Sequence, residues 1–215
     1  MASTSVRTGD PHGEASAEPD GIAQWLRGLP ALSGTAPDFD VADLPDDPVR
    51  LFVNWIREAA SAGVSEPHAA TLATIDEHGV PDARTLILKD VDEGGWAFAG
   101  PRSSRKATQL AAHPVAALNF WWQPIVRAVR VRGLVREASR AESDADLAAR
   151  SASAREGLSN GDWMLWRLDP TRVEFWQGAE DRRHIRVVYE ALDDGTWSLQ
   201  SGDAAYSEQI RGEQA

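Results

Sequence analysis

Residues 69–89 read AATLATIDEHGVPDARTLILK, and this stretch decides the class of fold. Two runs of strand-forming residues, 69–75 and 80–89, flank a turn that ends at Gly79. The pattern predicts an antiparallel β-hairpin. Alternation divides the second run into two faces, one with Arg84, Leu86 and Leu88, the other with Thr85, Ile87 and Lys89.

The same strand-like pattern continues along the chain. Further strands are predicted over residues 96–100, 115–122, 126–137, 171–177 and 185–189, with a last short strand at Trp197. Helices are predicted over residues 48–62, 104–112 and 142–155. About seven strands joined mainly by hairpins predict a mainly β (α+β) chain, and a closed or nearly closed barrel would remove the sheet edges.

The domain organisation follows from composition. A chain of 215 residues without a long apolar run has the size of one globular domain. Residues 1–45 are rich in Ala, Ser, Gly, Pro and Asp, which predicts a mostly disordered arm that docks one small helix. We expect the folded domain over residues 46–200 and a flexible tail over residues 201–215.

Several classes of function are disfavoured by composition. The chain has no cysteine, which excludes disulfides and thiolate sites, and its net charge of −11 argues against nucleic-acid binding. No stretch approaches the ~20 apolar residues that span a bilayer, and no secretory signal is visible, so we expect a cytoplasmic protein with no membrane partner. The histidines lack metal-ligand spacing, and no metal site is expected.

Two groups of cations could bind an anion together. Arg84 and Lys89 lie at the two ends of an apolar strand, and Ser104-Arg105-Lys106 lies at a predicted helix start. Each group alone is typical of a solvated surface. If the hairpin and the helix meet, however, their donors could hold a phosphate.

A third group follows Trp176. Taken alone, Trp176 in a chain with nine tryptophans is best interpreted as a core residue. Arg182, His184 and Arg186 alternate after it, which predicts one face of a strand. Three inward basic residues would need an anion to compensate their charge.

In their order along the chain, three motifs resemble the pyridoxine/pyridoxamine 5′-phosphate oxidase family. They are RTLILK at 84–89, SRKA at 104–107, and EFWQG at 174–178 followed by Arg182-x-His184-x-Arg186. The resemblance covers residues 48–197. It implies an FMN-binding split β-barrel with a few peripheral helices, forming a homodimer with the flavin at the subunit interface. It also implies an oxidase that passes a hydride from a small-molecule ring substrate to FMN, with O2 as the acceptor.

The resemblance also implies roles for individual residues. Those implied at the cofactor are Arg84, Thr85, Leu86, Ile87, Leu88, Lys89, Ala99, Gly100, Ser104, Arg105 and Lys106, with Trp176 and Arg186 closing on the flavin from the partner subunit. Those implied at the substrate are Lys89, Arg150, Arg182 and His184, of which Arg182 and His184 are the candidate catalytic residues.

The chain departs from the family's pattern at several of these positions. Ala99-Gly100 replaces an aromatic and a hydroxyl residue, and Ala128 replaces a flavin-contacting Gln. The family's Tyr, Arg and Ser clamp for the substrate phosphate becomes Asp146, Arg150 and Ala154, and the usual long segment that follows is reduced to residues 159–168.

These departures favour a substrate without phosphate. The lead-in at residues 32–48 is more similar to the phenazine-biosynthesis flavin oxidases of the same superfamily, which oxidise dihydro-aromatic precursors. True pyridoxine phosphate oxidation, a flavin reductase that uses a deazaflavin or nicotinamide partner, and a non-catalytic flavin-binding module remain as alternatives.

The homodimer has a second basis in the sequence. The chain carries more aromatic side chains than one small core requires, and we expect the excess to be buried between two copies. The residues assigned to that contact are Trp96, Phe98, Phe120, Trp121 and Trp122.

Overall fold

The computed structural model describes residues 21–158 and 161–202. The chain divides into two compact units, residues 1–31 and residues 32–215. In the first unit, helix α1 spans Ile22–Gly28, and it is the one small helix expected in the arm. The remaining predictions for the arm's first 20 residues, and for the tail from residue 203 onward, lie outside the described residues.

The second unit is built on one antiparallel sheet. Its strands are β1 Ala69–Ile75, β2 Pro81–Ile87, β3 Asp90–Asp92, β4 Gly95–Pro101, β5 Val115–Trp122, β6 Arg127–Glu137, β7 Trp163–Gln177, β8 Ile185–Ala191 and β9 Trp197–Ser201. The order is β2-β1-β5-β6-β7-β4-β3, with β8 paired to β7 and β9 paired to β8. The mainly β class and the predicted hairpin of β1 and β2 are confirmed.

The chain between β2 and β3 closes this sheet into a barrel. Leu88 donates its backbone N–H to the carbonyl of His68 at 2.9 Å, and Lys89 donates to Ala97 at 2.8 Å. One continuous segment therefore pairs with β1 at its start and with β4 at its end. Because the chain changes its hydrogen-bonding partner from β1 to β4 here, β2 ends at Ile87 and not at residue 89 as predicted.

Helix α2, Pro48–Ser61, packs one face on the barrel. Asp47 caps its start by accepting a hydrogen bond from the Val49 N–H at 2.8 Å, and Gly63 follows its end with a φ of 76°. The buried face carries Phe52 and Trp55 into the main core. The helix predicted from the sequence is confirmed.

The aromatic residues assigned to the dimer contact are mostly inside this core. Trp96, Phe98 and Phe120 are 0% exposed and Trp122 is 1% exposed. Phe52 packs edge-on against Trp96 and Phe120, with ring centroids 5.6 and 4.9 Å apart. The expectation that these four residues form an intersubunit surface is wrong, because the barrel interior accommodates them. Trp121 is the exception, at 45% exposure.

Strand β7 is longer than predicted. It begins at Trp163, whereas the alternating pattern becomes visible only from residue 171. Residues 163–168 are buried on both faces and pair with β4, so apart from the buried Arg167 their sequence is apolar and shows no alternation. The helix predicted over residues 142–155 is divided into α4, Arg140–Ala149, and α5, Ala152–Arg155.

Residues 33–45, which the sequence analysis placed in the arm, contact the barrel. Gln177 Nε2 donates to the Pro37 carbonyl at 3.0 Å, and the Tyr189 hydroxyl donates to the Pro45 carbonyl at 2.8 Å. Phe39 packs edge-on against Trp55 at 5.0 Å. The barrel unit therefore includes this extended segment.

The longest helix of the described residues has 14 positions. Within the described part of the chain, no helix has both the length and the apolar character needed to cross a membrane.

Candidate functional site

Lys106 lies at the start of helix α3, Arg105–Ala112, in a half-buried position. Its Nζ is 3.3 Å from Ser104 Oγ and 5.8 Å from the ring centroid of Trp166. A Cβ on Gly100 would come within 2.1 Å of this Nζ, so a glycine there makes room for the ammonium. Burial lowers the pKa of Lys106, and the nearby charge of Arg84 lowers it further.

The N-terminus of α3 leaves backbone donors beside that ammonium. Ser104 occupies the cap position, but its hydroxyl donates to the Pro101 carbonyl at 2.7 Å and makes no side-chain cap. Within residues 21–158 and 161–202, Lys106 has no carboxylate partner. A half-buried cation next to an uncapped helix start fits an anionic group such as a terminal phosphate. The site therefore fits the phosphate end of FMN.

Arg84 is close to this group but is already engaged by neighbours. Its Nη2 is 2.9 Å from both Gln109 Oε1 and Asp82 Oδ2, and its Nη1 contacts Thr74 Oγ1. Arg105, an exposed residue, is 3.2 Å from the same Asp82 oxygen. The structure thus joins the hairpin and the helix, as expected for one anion site, with Asp82 between the two arginines.

The other residues of the 84–89 motif lie on both sides of the strand. Thr85 and Lys89 are exposed, while Leu88 is buried in the core. Leu86 and Ile87 are half-buried, and Ala99 is half-buried on β4 in register with Leu165.

A second group of predicted residues lies on strands β5 to β8. Trp121, Ala128, Trp176 and Arg186 are directly paired across the four strands and form one row. Trp121 and Trp176 lean towards each other across Ala128, with ring centroids 6.2 Å apart and planes tilted by 48°. Trp176 is half-buried, so it is not the full core residue that its sequence context alone favoured.

His184 extends this row, but Arg182 does not lie on a strand. The His184 ring centroid is 4.9 Å from that of Trp176, and its Nδ1 accepts the Ala179 N–H at 3.0 Å. Arg182 has a φ of 64° and closes a turn onto the Ala179 carbonyl. The prediction of one strand face for Arg182, His184 and Arg186 is wrong, because β8 begins only at Ile185.

Arg186 is aligned by a buried carboxylate. Its Nε lies 3.3 Å from Glu174 Oε1, and the Glu174 side chain is 5% exposed. Arg130 and Arg172 contact the same carboxylate. The arrangement fixes the guanidinium at the end of the row.

The third group surrounds Trp163. Trp163 Nε1 donates to Asp146 Oδ2 at 2.7 Å, and the Arg150 guanidinium stacks over the same ring at 4.4 Å. Arg150 Nε donates to the Ala154 carbonyl at 3.3 Å. Arg150 forms no ion pair among the described residues, so its terminal nitrogens can meet an anionic ligand.

Sequence reasoning missed Gln109 and assigned Trp121 to a different role. Gln109 is 5% exposed and links Arg84 to Thr74 by accepting from both. Its position on the buried face of α3, next to Leu110, was the available signal. No group of three or more His, Asp or Glu side chains able to hold a metal ion occurs in the described ranges.

Comparisons with known proteins assign the family. The sequence model described as pyridoxamine 5′-phosphate oxidase matches residues 56–177, and that described as the pyridoxine 5′-phosphate oxidase C-terminal dimerisation region matches residues 163–201. A pyridoxine/pyridoxamine 5′-phosphate oxidase of Ralstonia pickettii is 39% identical, over 74% of this chain and 90% of its own. One of Nostoc punctiforme is 36% identical, over 71% of this chain and 86% of its own.

Solved structures agree on the fold. PhzG from Burkholderia lata 383, in complex with tetrahydrophenazine-1-carboxylic acid, has a TM-score of 0.71 and 24% identity, over 78% of this chain and 98% of that one. An FMN-binding protein related to pyridoxamine 5′-phosphate oxidase, from Nostoc punctiforme, has a TM-score of 0.62 and 20% identity, over 72% and 96% of the two chains. The expected split β-barrel is confirmed, and the chain belongs to the pyridoxamine 5′-phosphate oxidase family.

Proposed function

We propose that this protein oxidises a small, reduced aromatic acid without a phosphate group, with O2 as the final electron acceptor. Family membership shows that the chain is an FMN-dependent oxidase. The proposed substrate, a dihydro-aromatic acid of the phenazine type, rests on the residues around Trp163.

The observation that carries the proposal is the engagement of Asp146. Its carboxylate accepts the Trp163 indole N–H at 2.7 Å. The sequence resemblance implies that Asp146 stands where the family offers a phenol to a phosphate. Ala154 offers no hydroxyl. A phosphate dianion would lose two hydrogen bonds here and meet a like charge, which weakens binding by a factor of hundreds or more.

A carboxylate ligand needs fewer hydrogen-bond donors from this site than a phosphate does. Arg150 is held over Trp163 at 4.4 Å, and its terminal nitrogens form a planar fork suited to two carboxylate oxygens. His184 accepts at Nδ1, which leaves the hydrogen on Nε2 as a second donor. Arg150 lies near the Trp163 end of β7 and His184 near the Trp176 end, so in this proposal Arg150 of one copy of the chain and His184 and Arg182 of the other copy would bind and orient one aromatic acid.

The cofactor is FMN, which supplies the acceptor for a hydride leaving the substrate carbon. In this proposal Lys106, Ser104 and the start of α3 hold its phosphate, with Arg84 and Arg105 shaping the site around Asp82. The rest of the 84–89 motif and the Ala99-Gly100 pair flank the cofactor, and Trp176 and Arg186 of the other copy of the chain close on its ring. The protein's contribution is to orient two rings and to exclude water between them.

We also propose a homodimer in the cytoplasm. The match of residues 163–201 to a dimerisation region supports the dimer, and the absence of cysteine is compatible with a reducing compartment. With four of the five predicted contact aromatics inside the barrel, an interface would have to use other residues, among them the exposed Leu134.

Oxygen consumption by the FMN-saturated protein tests the substrate. We expect kcat/KM for tetrahydrophenazine-1-carboxylic acid to exceed that for pyridoxine 5′-phosphate by about 100-fold or more. Efficient oxidation of the phosphate ester at micromolar concentration would contradict the proposal. Arg150→Gln, at the end of α4, should raise KM for the acid, whereas Arg155→Gln, at an exposed position at the end of the neighbouring α5, serves as the control.

Pyridoxine/pyridoxamine 5′-phosphate oxidation is the second candidate. It is favoured by the names of relatives that are 34–39% identical. The same assay separates the two functions, because the ratio of the two kcat/KM values would be reversed.

A further inference from the structure

We infer that Trp121 is a specificity-determining residue that contacts the ring system of the substrate and favours fused rings over a single pyridine ring. The inference rests on the proposed function and deepens it, because it names ring size as the property that is recognised. Its basis is the row of residues on strands β5 to β8.

Trp121 is an unusual aromatic residue in the barrel unit. Its neighbours on β5, Phe120 and Trp122, point into the core and are 0% and 1% exposed, whereas Trp121 is 45% exposed. Its partner is Trp176, at 6.2 Å between ring centroids. A large indole in this position provides an apolar face and an N–H that remain available to a ligand.

Three rings follow one another on this face. The Trp121 ring contacts Trp176, and Trp176 contacts His184 at 4.9 Å. A single six-membered ring covers about one side chain of such a series, whereas a fused bicyclic or tricyclic system reaches a second one. Each additional aromatic contact favours binding of the larger ring.

The small side chain of Ala128 allows the contact between Trp121 and Trp176. It lies between Trp121 and Trp176 in the cross-strand register, on the same face of the sheet. A methyl group leaves the two indoles free to meet above β6. A longer side chain would stand between them and fill the space in which a second ring could lie.

The polar side chain beside the β8 end of the row fits an acid. His184 follows Trp176 there and retains its Nε2 hydrogen because its Nδ1 accepts from Ala179, while Arg186 is paired with Glu174 at 3.3 Å. The ligand class is therefore a planar fused aromatic or dihydro-aromatic carboxylate.

Binding measurements on Trp121→Leu test the inference directly. The probe is phenazine-1-carboxylate, titrated into FMN-loaded protein and followed by quenching of tryptophan fluorescence. We expect the dissociation constant to rise about 10-fold, while that of the single-ring probe pyridine-3-carboxylate changes by less than about 2-fold. Trp25→Leu is the matched control, since Trp25 is also exposed, at 54%, and makes no ring contact in the described residues.

A second variant, Ala128→Gln, keeps the inference testable if Trp121→Leu fails to fold. Ala128→Gln keeps Trp121 but separates it from Trp176, so it should weaken the phenazine probe and leave FMN affinity undiminished. Equal weakening of both probes, no weakening of either, or loss of FMN affinity in Trp121→Leu would overturn the inference. These binding results do not depend on turnover, so a failure to oxidise the reduced acid would contradict the proposed function and leave the role of Trp121 to be judged separately.

Discussion

The guanidinium of Arg127 lies 4.1 Å from the ring centroid of Trp55. Arg127 is 1% exposed, and its Nε donates to Gln177 Oε1 at 2.7 Å. Its Nη1 pairs with Glu58 on α2. This one side chain therefore joins α2, β6 and β7.

Replacement of Arg127 should destabilise the fold. Arg127→Met keeps the length of the stem but leaves the buried Gln177 oxygen without its donor, and we expect a loss of about 2–3 kcal/mol in the free energy of unfolding. Urea denaturation followed by circular dichroism measures this. Glu58→Gln should cost less than about 1 kcal/mol, because Glu58 is half-exposed and its charge stays solvated. A similar loss in the free energy of unfolding for Arg127→Met and Glu58→Gln would contradict this prediction.

Lys106 should contribute to FMN affinity. Lys106→Met removes the half-buried ammonium beside the α3 N-terminus, and we expect binding to weaken by about 1.5–3 kcal/mol. Titration of FMN fluorescence quenching measures the change. Lys106→Arg retains the charge and should lose less than Lys106→Met; an unchanged affinity in Lys106→Met would remove this residue from the phosphate site.

Glu142 should stabilise the protein down to acidic pH. Hydrogen bonds from the Ser139 hydroxyl and backbone, followed by one from Arg167, lower the pKa of Glu142 to about 2. A carboxyl whose pKa is lowered on folding contributes stability above its unfolded pKa of 4.5 and loses it as pH falls towards 2. Because its side chain is 40% exposed, we discount the contribution to about 1 kcal/mol.

The corresponding variant is Glu142→Gln. We expect it to unfold about 1 kcal/mol more easily than the wild type at pH 7, with the difference vanishing as pH falls from 4.5 to 2. Thermal denaturation over this range is the measurement. Glu77→Gln, at an exposed position that pairs with His78 at 3.7 Å, should match the wild type throughout. A difference independent of pH would show that Glu142 acts by packing alone.

The phosphate clamp can be rebuilt. The double variant Asp146→Tyr/Ala154→Ser removes a like charge and adds two hydroxyl groups, and we expect kcat/KM for pyridoxine 5′-phosphate to rise about 10-fold or more. The parallel single variant Ala154→Ser should give a smaller gain. A fall in phosphate-ester turnover for both variants would show that this cluster does not face the substrate.

The hairpin and the helix α3 could be predicted because their signals are local. Residues 69–75 alternate on a half-buried sheet, and Ser104 with Pro114 marks the two ends of the helix. The first half of β7 could not, since residues 163–168 are buried on both faces and therefore lack a period of two. The turn at Arg182 could not be predicted either, because a non-glycine residue with a φ of 64° has no strong sequence signal.

The candidate site could be predicted from the sequence only in part. The motif at Ser104–Lys106 predicts an anion site from residue type alone. Arg127 was missed, although it shares a strand face with the buried Val129 and Val131, and that register was the signal for an inward arginine. The contact of Trp121 with Trp176 depends on three strands meeting, which no local pattern encodes.

The central position of β7 also constrains how the chain can fold during synthesis. β7 pairs with β4, β6 and β8, and its residue Trp163 is the partner of Pro101, which is made much earlier. The hairpin of β1 and β2 can form as soon as it leaves the ribosome, but the barrel cannot complete until residue 177 has been translated. Until then the edge of β4 lacks its backbone partner and Phe98 lacks the Trp166 ring that stacks on it at 6.0 Å, so a nascent chain stalled before β7 should be a client for chaperones that bind exposed aromatic strands.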